Sequence, residues 1–441
     1  MGGVFTLMSI GTRIRSFFFY CSISIMALAV WSGGAPLLAA EADLRRELAG
    51  ALAREDVAAV GKIVAAERAA LGEKAGIPDE PDQFIPIPKE GRWLTPEEAR
   101  TGFARVAPLL DKVSWWRIGL DPTTLAHPLR EPASVIAGCV AACRGKLDGA
   151  EDSLARAKAA AAFLMWAQGQ AGAGVFPFPA ARGAASTRAF LAGDKLLAQI
   201  EKEGRLDDAI HHGWVVEDLG DGGLQFDNGE CGLALLELYE LTRDARYLDS
   251  ARRAADWAVK RPLAPNWNYN SFSVALLARF FEVTGERRYL AAAKQKAMLG
   301  VIPGQIKDGP MVGRWIDPHN AKPAYHYIML RALADLAIAL PKDDPGRVDV
   351  VSALRLGLKA RNKDFLERGA PNKDKAMETL LIVNRFLSQE PDFLRDTQSA
   401  EALEALGKLV SEEARRGRAP LDPRGWGEFL EFVIGGAERR R

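Results

Sequence analysis

The chain has 441 residues, with 58 Lys+Arg against 57 Asp+Glu, and 48% of its residues are apolar and 8% aromatic. This is the composition of a packed globular protein; it excludes a disordered chain, a collagen-like repeat and a disulfide-dense miniprotein. A net charge of +1 offers no basic field, so no nucleic-acid partner is expected.

Residues 1–40 have the layout of a secretory signal peptide. Arg13 and Arg15 precede an apolar run from Phe17 to Trp31, and a Gly/Pro break and the small residues Ala39 and Ala40 lead to Glu41. The run is about 15 residues, short of the roughly 20 that a membrane span needs. A secreted or periplasmic protein with no stable membrane span after cleavage is expected. Beyond the leader lie Cys139, Cys143 and Cys231, an odd number, so at least one is unpaired within the chain. Cys139 and Cys143, four apart in an Ala-rich helical stretch, are expected as small buried side chains rather than as a disulfide or a zinc site.

Residues 41–130 are expected to form a helical N-terminal segment. Ala42 to Gly72 is amphipathic and helical, and Ile77 to Pro88 is a Pro-rich connector. Thr95-Pro96-Glu97-Glu98 is a helix start, with Thr95 as N-cap and Pro96 in the first position. From 131 to 441 helices alternate with Gly/Pro/Asn loops, and no sustained period-2 pattern calls for a large sheet.

An internal repeat organises this second part. Leu235 to Ala251 (LLELYELTRDARYLDSA) matches Leu277 to Ala293 (LARFFEVTGERRYLAAA) at an offset of 42, pairing Thr242 with Thr284, Tyr247 with Tyr289 and Asn228 with Asn270. A weaker copy starts at Tyr327. Further hairpins are expected at Pro132 to Gln168, at Ala184 to Trp214, and at Ala376 to Phe386 with Ala400 to Ala414. Each unit is two antiparallel helices that must stack on neighbours to bury their second face. The loops Gly220 to Cys231, Pro265 to Ser271 and Gly313 to Tyr327 fall at the same point of successive units, hence at one end of the stack. They are rich in Trp, Tyr, Asn, Asp and His.

The ELT-x-D/E-x-x-YL-x-x-A signature, present as Glu240 to Ala251 and, with valine in place of leucine, Glu282 to Ala293, resembles that of the six-hairpin (α/α)6 toroid superfamily, in which carbohydrate-active enzymes are frequent. Residues 228–340 resemble the C-terminal domain of uronyl C5-epimerases, with two hairpins, a Gly-Arg-Trp loop and a Tyr-His pair opening another inner helix. His319-Asn320, Tyr325-His326 and Arg314 also resemble the site of toroid polysaccharide lyases. The resemblance implies an all-α, (α/α)6-type toroid of stacked hairpins, open or closed, and an oligo- or polysaccharide substrate.

Lyases and C5-epimerases of uronates both begin by removing the C5 proton beside a carboxylate. That step needs a base near neutral pKa, a group that neutralises the carboxylate, and an acid. His319 or His326 is the expected base and Tyr325 or Tyr327 the acid, with Arg314, Asn270 and Asn320 on the carboxylate. Trp267, Tyr269 and Trp315 have flat faces that can stack on sugar rings, and Asn228, Asn268, Asp227 and Glu230 complete the expected binding set. Two alternatives stay open. A glycosidase would use paired carboxylates from Asp218, Asp221, Asp227, Glu230 and Asp317, and a glycan-binding protein would keep the aromatics without chemistry. No Gly-rich phosphate loop, GxSxG elbow or HExxH occurs, so no cofactor is expected; the adjacent His211 and His212 make only a weak metal pair.

Overall fold

The computed structural model describes residues 35–79, 84–106, 110, 129–172, 174–179, 196–370, 372–387, 390–418 and 421–438. The expected leader therefore lies outside the described residues, apart from Ala35 to Ala40 at the start of α1. No described helix is long and apolar enough to cross a membrane.

The helices run α1 (Ala35–Ala53), α2 (Val57–Leu71), α3 (Pro96–Gly102), α4 (Arg130–Arg144), α5 (Ala150–Ala171), α6 (Leu206–Ala209), α7 (Gly223–Thr242) and α8 (Ala245–Lys260). They continue with α9 (Trp267–Thr284), α10 (Arg287–Gly300), α11 (Pro323–Ala339), α12 (Arg347–Arg368), α13 (Lys373–Leu387), α14 (Pro391–Thr397), α15 (Ser399–Arg415) and α16 (Pro423–Glu438). Six of them close a ring: α4 packs on α7, α7 on α9, α9 on α11, α11 on α13, α13 on α16, and α16 back on α4. The helices α5, α8, α10, α12 and α15 lie outside, each against an inner helix, and α3 covers α16. The fold is thus the expected all-α toroid, closed rather than open, and the N-terminal segment contributes to it. Because each inner helix except the last, α16, is followed by an outer one that runs back along it, the inner helices start at the same end, which we call the mouth.

The repeat signature has a local cause. Thr242 Oγ1 donates to Leu238 O (2.7 Å) and accepts from Asp244 N–H, while Thr284 Oγ1 does the same with Phe280 O (2.8 Å) and Glu286 N–H. The next residue, Arg243 or Gly285, is left-handed and its N–H returns to Tyr239 O or Phe281 O, closing the helix end. Tyr289 is fully buried and meets Phe280 edge-on at 4.6 Å. The threonine fixes the turn, and the tyrosine fixes the angle at which the outer helix returns.

The expected hairpin from Ala184 to Trp214 is not what the described part of this stretch forms. Residues 196–202 are helical, and the chain then makes a small antiparallel sheet in the order β1 (Phe178–Pro179), β3 (Trp214–Val215), β2 (Ile210–His211). His212 and Gly213 both take positive φ between β2 and β3, the backbone a tight two-residue hairpin needs. That turn, rather than a helix, accounts for the His-His-Gly sequence.

The N-terminal segment wraps the outside of the ring. Ala75 packs with Ile306 and Ile316, and Gly76 N–H donates to Ile316 O. Ile85 exchanges two backbone hydrogen bonds with Ala370. Trp93 stacks on Phe429 at 5.6 Å while its indole N–H donates to Glu404. Thr95 and Glu98 form the expected capping box at α3. Cys139, Cys143 and Cys231 are thiols rather than disulfides; Cys139 and Cys231 are buried and Cys143 is half-buried.

Candidate active site at the mouth of the toroid

The loop Gly220 to Cys231 turns at Gly222, left-handed with φ 89°, where a Cβ would lie 2.7 Å from Ala264 Cβ. The turn places Asp218 and Asp221 beside the start of α7. With Arg130 of α4 and Tyr269 of α9 these acids line a cleft whose apolar wall is Phe178, Leu196 and Phe226. Phe226 stacks on Phe272 at 4.1 Å, and the Arg130 guanidinium lies over the Phe226 ring at 4.3 Å.

The two aspartates are treated differently. Asp218 is buried and accepts from Gly220 N–H (2.8 Å), Leu224 N–H (3.0 Å) and the Arg261 guanidinium. Asp221 is exposed at the cleft edge, with Gly223 N–H on one oxygen (3.0 Å). Crowding by protein atoms, then the neighbouring Asp218 charge, raise its carboxyl to about 6, against the opposing pull of Gly223 N–H and Arg261. Asp221 is therefore a carboxylic acid able to give or take a proton near neutrality, in contact with solvent.

Below the cleft lies a charged axis. Asp227 accepts from Arg130 N–H and Nη1, each at 3.1 Å, and burial pushes its carboxyl up. Burial would also raise Glu230, but Arg331, Lys375 and Arg424 reverse this and hold it at about 2. Arg331 bridges Glu230 and Glu378, each at 3.1 Å, and Arg424 reaches Glu237 at 2.9 Å.

Of the residues expected from sequence, Tyr269, Asp218 and Asp221 line the cleft, and Asp227 is buried behind it on Arg130. The others sit elsewhere and are held in the scaffold. Asn228 donates to Ala254 O and Asn270 to Gly300 O, each tying an inner helix to its outer partner. Asn268 donates to Asn320 Oδ1, and Asn320 Nδ2 binds both oxygens of Asp317. Trp267 is buried beside Gly304. Trp315 is buried, with its indole N–H on Val301 O. His326 is fully buried, its Nε2 accepts the Trp315 backbone N–H, and burial lowers it well below the usual imidazole range. Tyr327 is buried, which drives its hydroxyl up, and its carbonyl accepts from Thr379. Arg314 pairs with both oxygens of Asp364. His319, half-buried and packed at 4.5 Å on Tyr325, keeps a partly open face, as does Arg314. Sequence reasoning did not single out Arg130, Phe178, Leu196 and Phe226; they come from four separate elements of the chain and carry no shared motif. His211 and His212 are in ring contact at 4.2 Å, and no group of three His, Cys, Asp or Glu suited to a metal occurs among the described residues.

No known family profile and no curated protein matches the chain. Among solved structures it is similar to a glycosyl hydrolase family 88 protein from Bacteroides vulgatus (TM-score 0.48, 13% identity, covering 78% of this chain and 99% of that one). It is also similar to a polysaccharide lyase (TM-score 0.47, 12% identity, 78% and 98% covered). A third similar structure is an unsaturated glucuronyl hydrolase specific for heparin (TM-score 0.44, 10% identity, 78% and 98% covered).

Proposed function

We propose that the protein is a carbohydrate-active enzyme, secreted or periplasmic, that cleaves a glycan at the mouth of the toroid by acid catalysis from Asp221. The observation that carries this reading is the placement of Asp221, exposed at the cleft edge beside Asp218 and against Phe178, Phe226 and Tyr269; its raised carboxyl agrees in direction. Phe178, Phe226 and Tyr269 suit the apolar face of a sugar ring, while the polar groups among them suit its hydroxyls. Asp221 protonates the leaving oxygen as the glycosidic C–O bond breaks, and water adds to the anomeric carbon and gives up a proton that restores the acid; Asp218 acts through Asp221, keeping its proton by charge repulsion. Hydrolysis stands ahead of C5-proton abstraction because the groups lining the cleft are carboxylates, whereas His326 is enclosed in the scaffold.

A specific observation favours the second reading. Arg130 and Tyr269 also line the cleft, and an arginine for a uronate carboxylate with a tyrosine for proton transfer is the set that elimination requires. The test is incubation of the mature protein with a panel of neutral and uronate-containing glycans, following new reducing ends and the ultraviolet absorbance of an unsaturated uronate. Reducing ends without absorbance, lost in Asp221→Asn, support hydrolysis. Absorbance lost in Tyr269→Phe supports elimination. Neither product from any glycan leaves a binding protein.

A further inference from the structure

The outer helices α8 and α10 belong to the two matching repeats, and Ala254 and Lys296 stand at the same place in each. Ala254 is fully buried, so the scaffold needs only a small apolar residue there. Lys296 is 5% exposed, and among the described residues its ammonium meets one partner, a neutral one: Nζ donates to the carbonyl oxygen of Arg261 at 2.6 Å. Burial, then the Arg261 charge, bring the amine down to about 8, against the pull of Glu55 from the turn between α1 and α2. A buried cation on a neutral acceptor is costly, and the packing of the repeat does not ask for it.

Arg261 is the residue that ends α8. Its N–H returns to Trp257 O, its carbonyl takes Lys296, and its guanidinium spans two carboxylates of the loop before α7: Nη1 donates to Glu217 at 2.8 Å and Nη2 to Asp218. The loop is in turn drawn up around Asp218, which accepts from Gly220 N–H and Leu224 N–H on either side of Asp221. The contacts therefore run from Lys296 to Arg261, from Arg261 to Asp218, and from Asp218 to the loop that presents Asp221.

We propose that Lys296 is a positioning residue for the Asp218–Asp221 pair: from the next hairpin it fixes the backbone of Arg261, and through Arg261 the loop that holds Asp221 at the mouth. Its part in catalysis rests on the acid site proposed above, whereas the chain of contacts stands without it. A lysine that merely capped the C-terminus of α8 would act on α8 alone.

The experiment uses the full-length protein without substrate, together with its Lys296→Met and Arg261→Met variants and the double variant. Methionine has nearly the length of the lysine stem and removes a buried charge, so α10 keeps its packing. Two readouts are taken by NMR, the hydrogen exchange of the Gly220 and Leu224 amides and the carboxyl titration of Asp221. Lys296→Met is expected to quicken exchange at both amides about tenfold, the equivalent of one charge-assisted hydrogen bond. It is expected to move the Asp221 titration upward by about half a pH unit, because the two aspartates lose part of the cation that stabilises them ionised together. In the Arg261→Met background the same substitution is expected to add nothing to either readout, since the path through Arg261 is already cut. Lys296→Gln is a second variant; it keeps a hydrogen-bond donor and is expected to recover part of the protection. Quicker exchange confined to the last turn of α8, with Gly220, Leu224 and Asp221 unchanged, would overturn the proposal, as would equal effects with and without Arg261. Neither readout requires a glycan, so failure of the acid-site reading would show separately, as turnover that survives Asp221→Asn.

Discussion

Gly138 of α4 and Gly427 of α16 meet backbone to backbone: a Cβ on Gly427 would lie 2.6 Å from the Gly138 carbonyl oxygen, and one on Gly138 would lie 2.1 Å from Pro423 O. The ring closes at this crossing, with no room for a methyl group on either side. Gly138→Ala is expected to cost about 1–3 kcal/mol through overpacking, in spite of alanine's better helix propensity. Chemical denaturation checks it; a variant as stable as the wild type would mean the helices separate easily.

The Asp221 carboxyl is expected to titrate near 6 in the free protein, well above an ordinary aspartate. Because its folded value is raised, it binds its proton more tightly in the folded state and its stabilising effect fades as pH rises from about 4 to 6. If Asp221 is the acid, activity falls on the alkaline side of about 6, and Arg261→Met, which removes the cation holding Asp218, moves that limb. Carbon NMR titration with aspartate labelling reads the first effect, and a pH–rate profile on whichever glycan is turned over reads the second.

Arg331 sits between Glu230 and Glu378 and is almost fully buried. Arg331→Ala removes the cation that Glu230 and Glu378 share, leaving Glu378 with Lys375 and Glu230 with Arg424 at 3.6 Å, and is expected to cost about 3 kcal/mol. A triple change of Arg331, Glu230 and Glu378 to apolar residues of similar size is expected to recover much of that loss. A single variant with unchanged melting temperature would show that water reaches the axis.

Thr284→Val keeps the shape of the repeat turn and removes the hydroxyl that joins Phe280 O to Glu286 N–H. A loss of about 1 kcal/mol is expected, with a similar loss for Thr242→Val, since the two turns make the same pair of bonds. Thermal denaturation of both variants tests whether the repeats are equivalent in energy as well as in sequence.

The scaffold was legible because its rules are local. Thr242 and Thr284, Tyr247 and Tyr289 recur because each hairpin solves one turn and one packing problem, and the same solution works in every unit. The alternation of inner and outer helices followed from that period. The site was less legible because composition does not say which way a loop faces. The segment from Gly313 to Tyr327 carries the residue types of a proton-transfer site, yet Ala75 and Gly76, more than two hundred residues earlier, cover it at Ile316. Once it is covered, His326 Nε2 accepts the Trp315 backbone N–H and the two rings meet edge-on, while His326 Nδ1 is buried without a partner among the described residues. Conversely, Arg130 reaches the cleft only because α4 is the neighbour of α7, a relationship set by ring closure and absent from any local pattern. Asp221 was visible as one of several loop acids; its distinction from Asp218 arises from Arg261, at the far end of the same hairpin 43 residues on.

A chain of stacked hairpins that stays open has two ends, and its terminal units can melt while the middle holds. The contact of α16 with α4 removes both ends. Every hairpin here has a neighbour on each side, so opening any one breaks two interfaces and leaves the remainder with the unprotected faces of a solenoid. Such a molecule is expected to unfold as one unit, and a ligand seated at the mouth, touching α4, α7 and α9 together, would act on the whole circle at once.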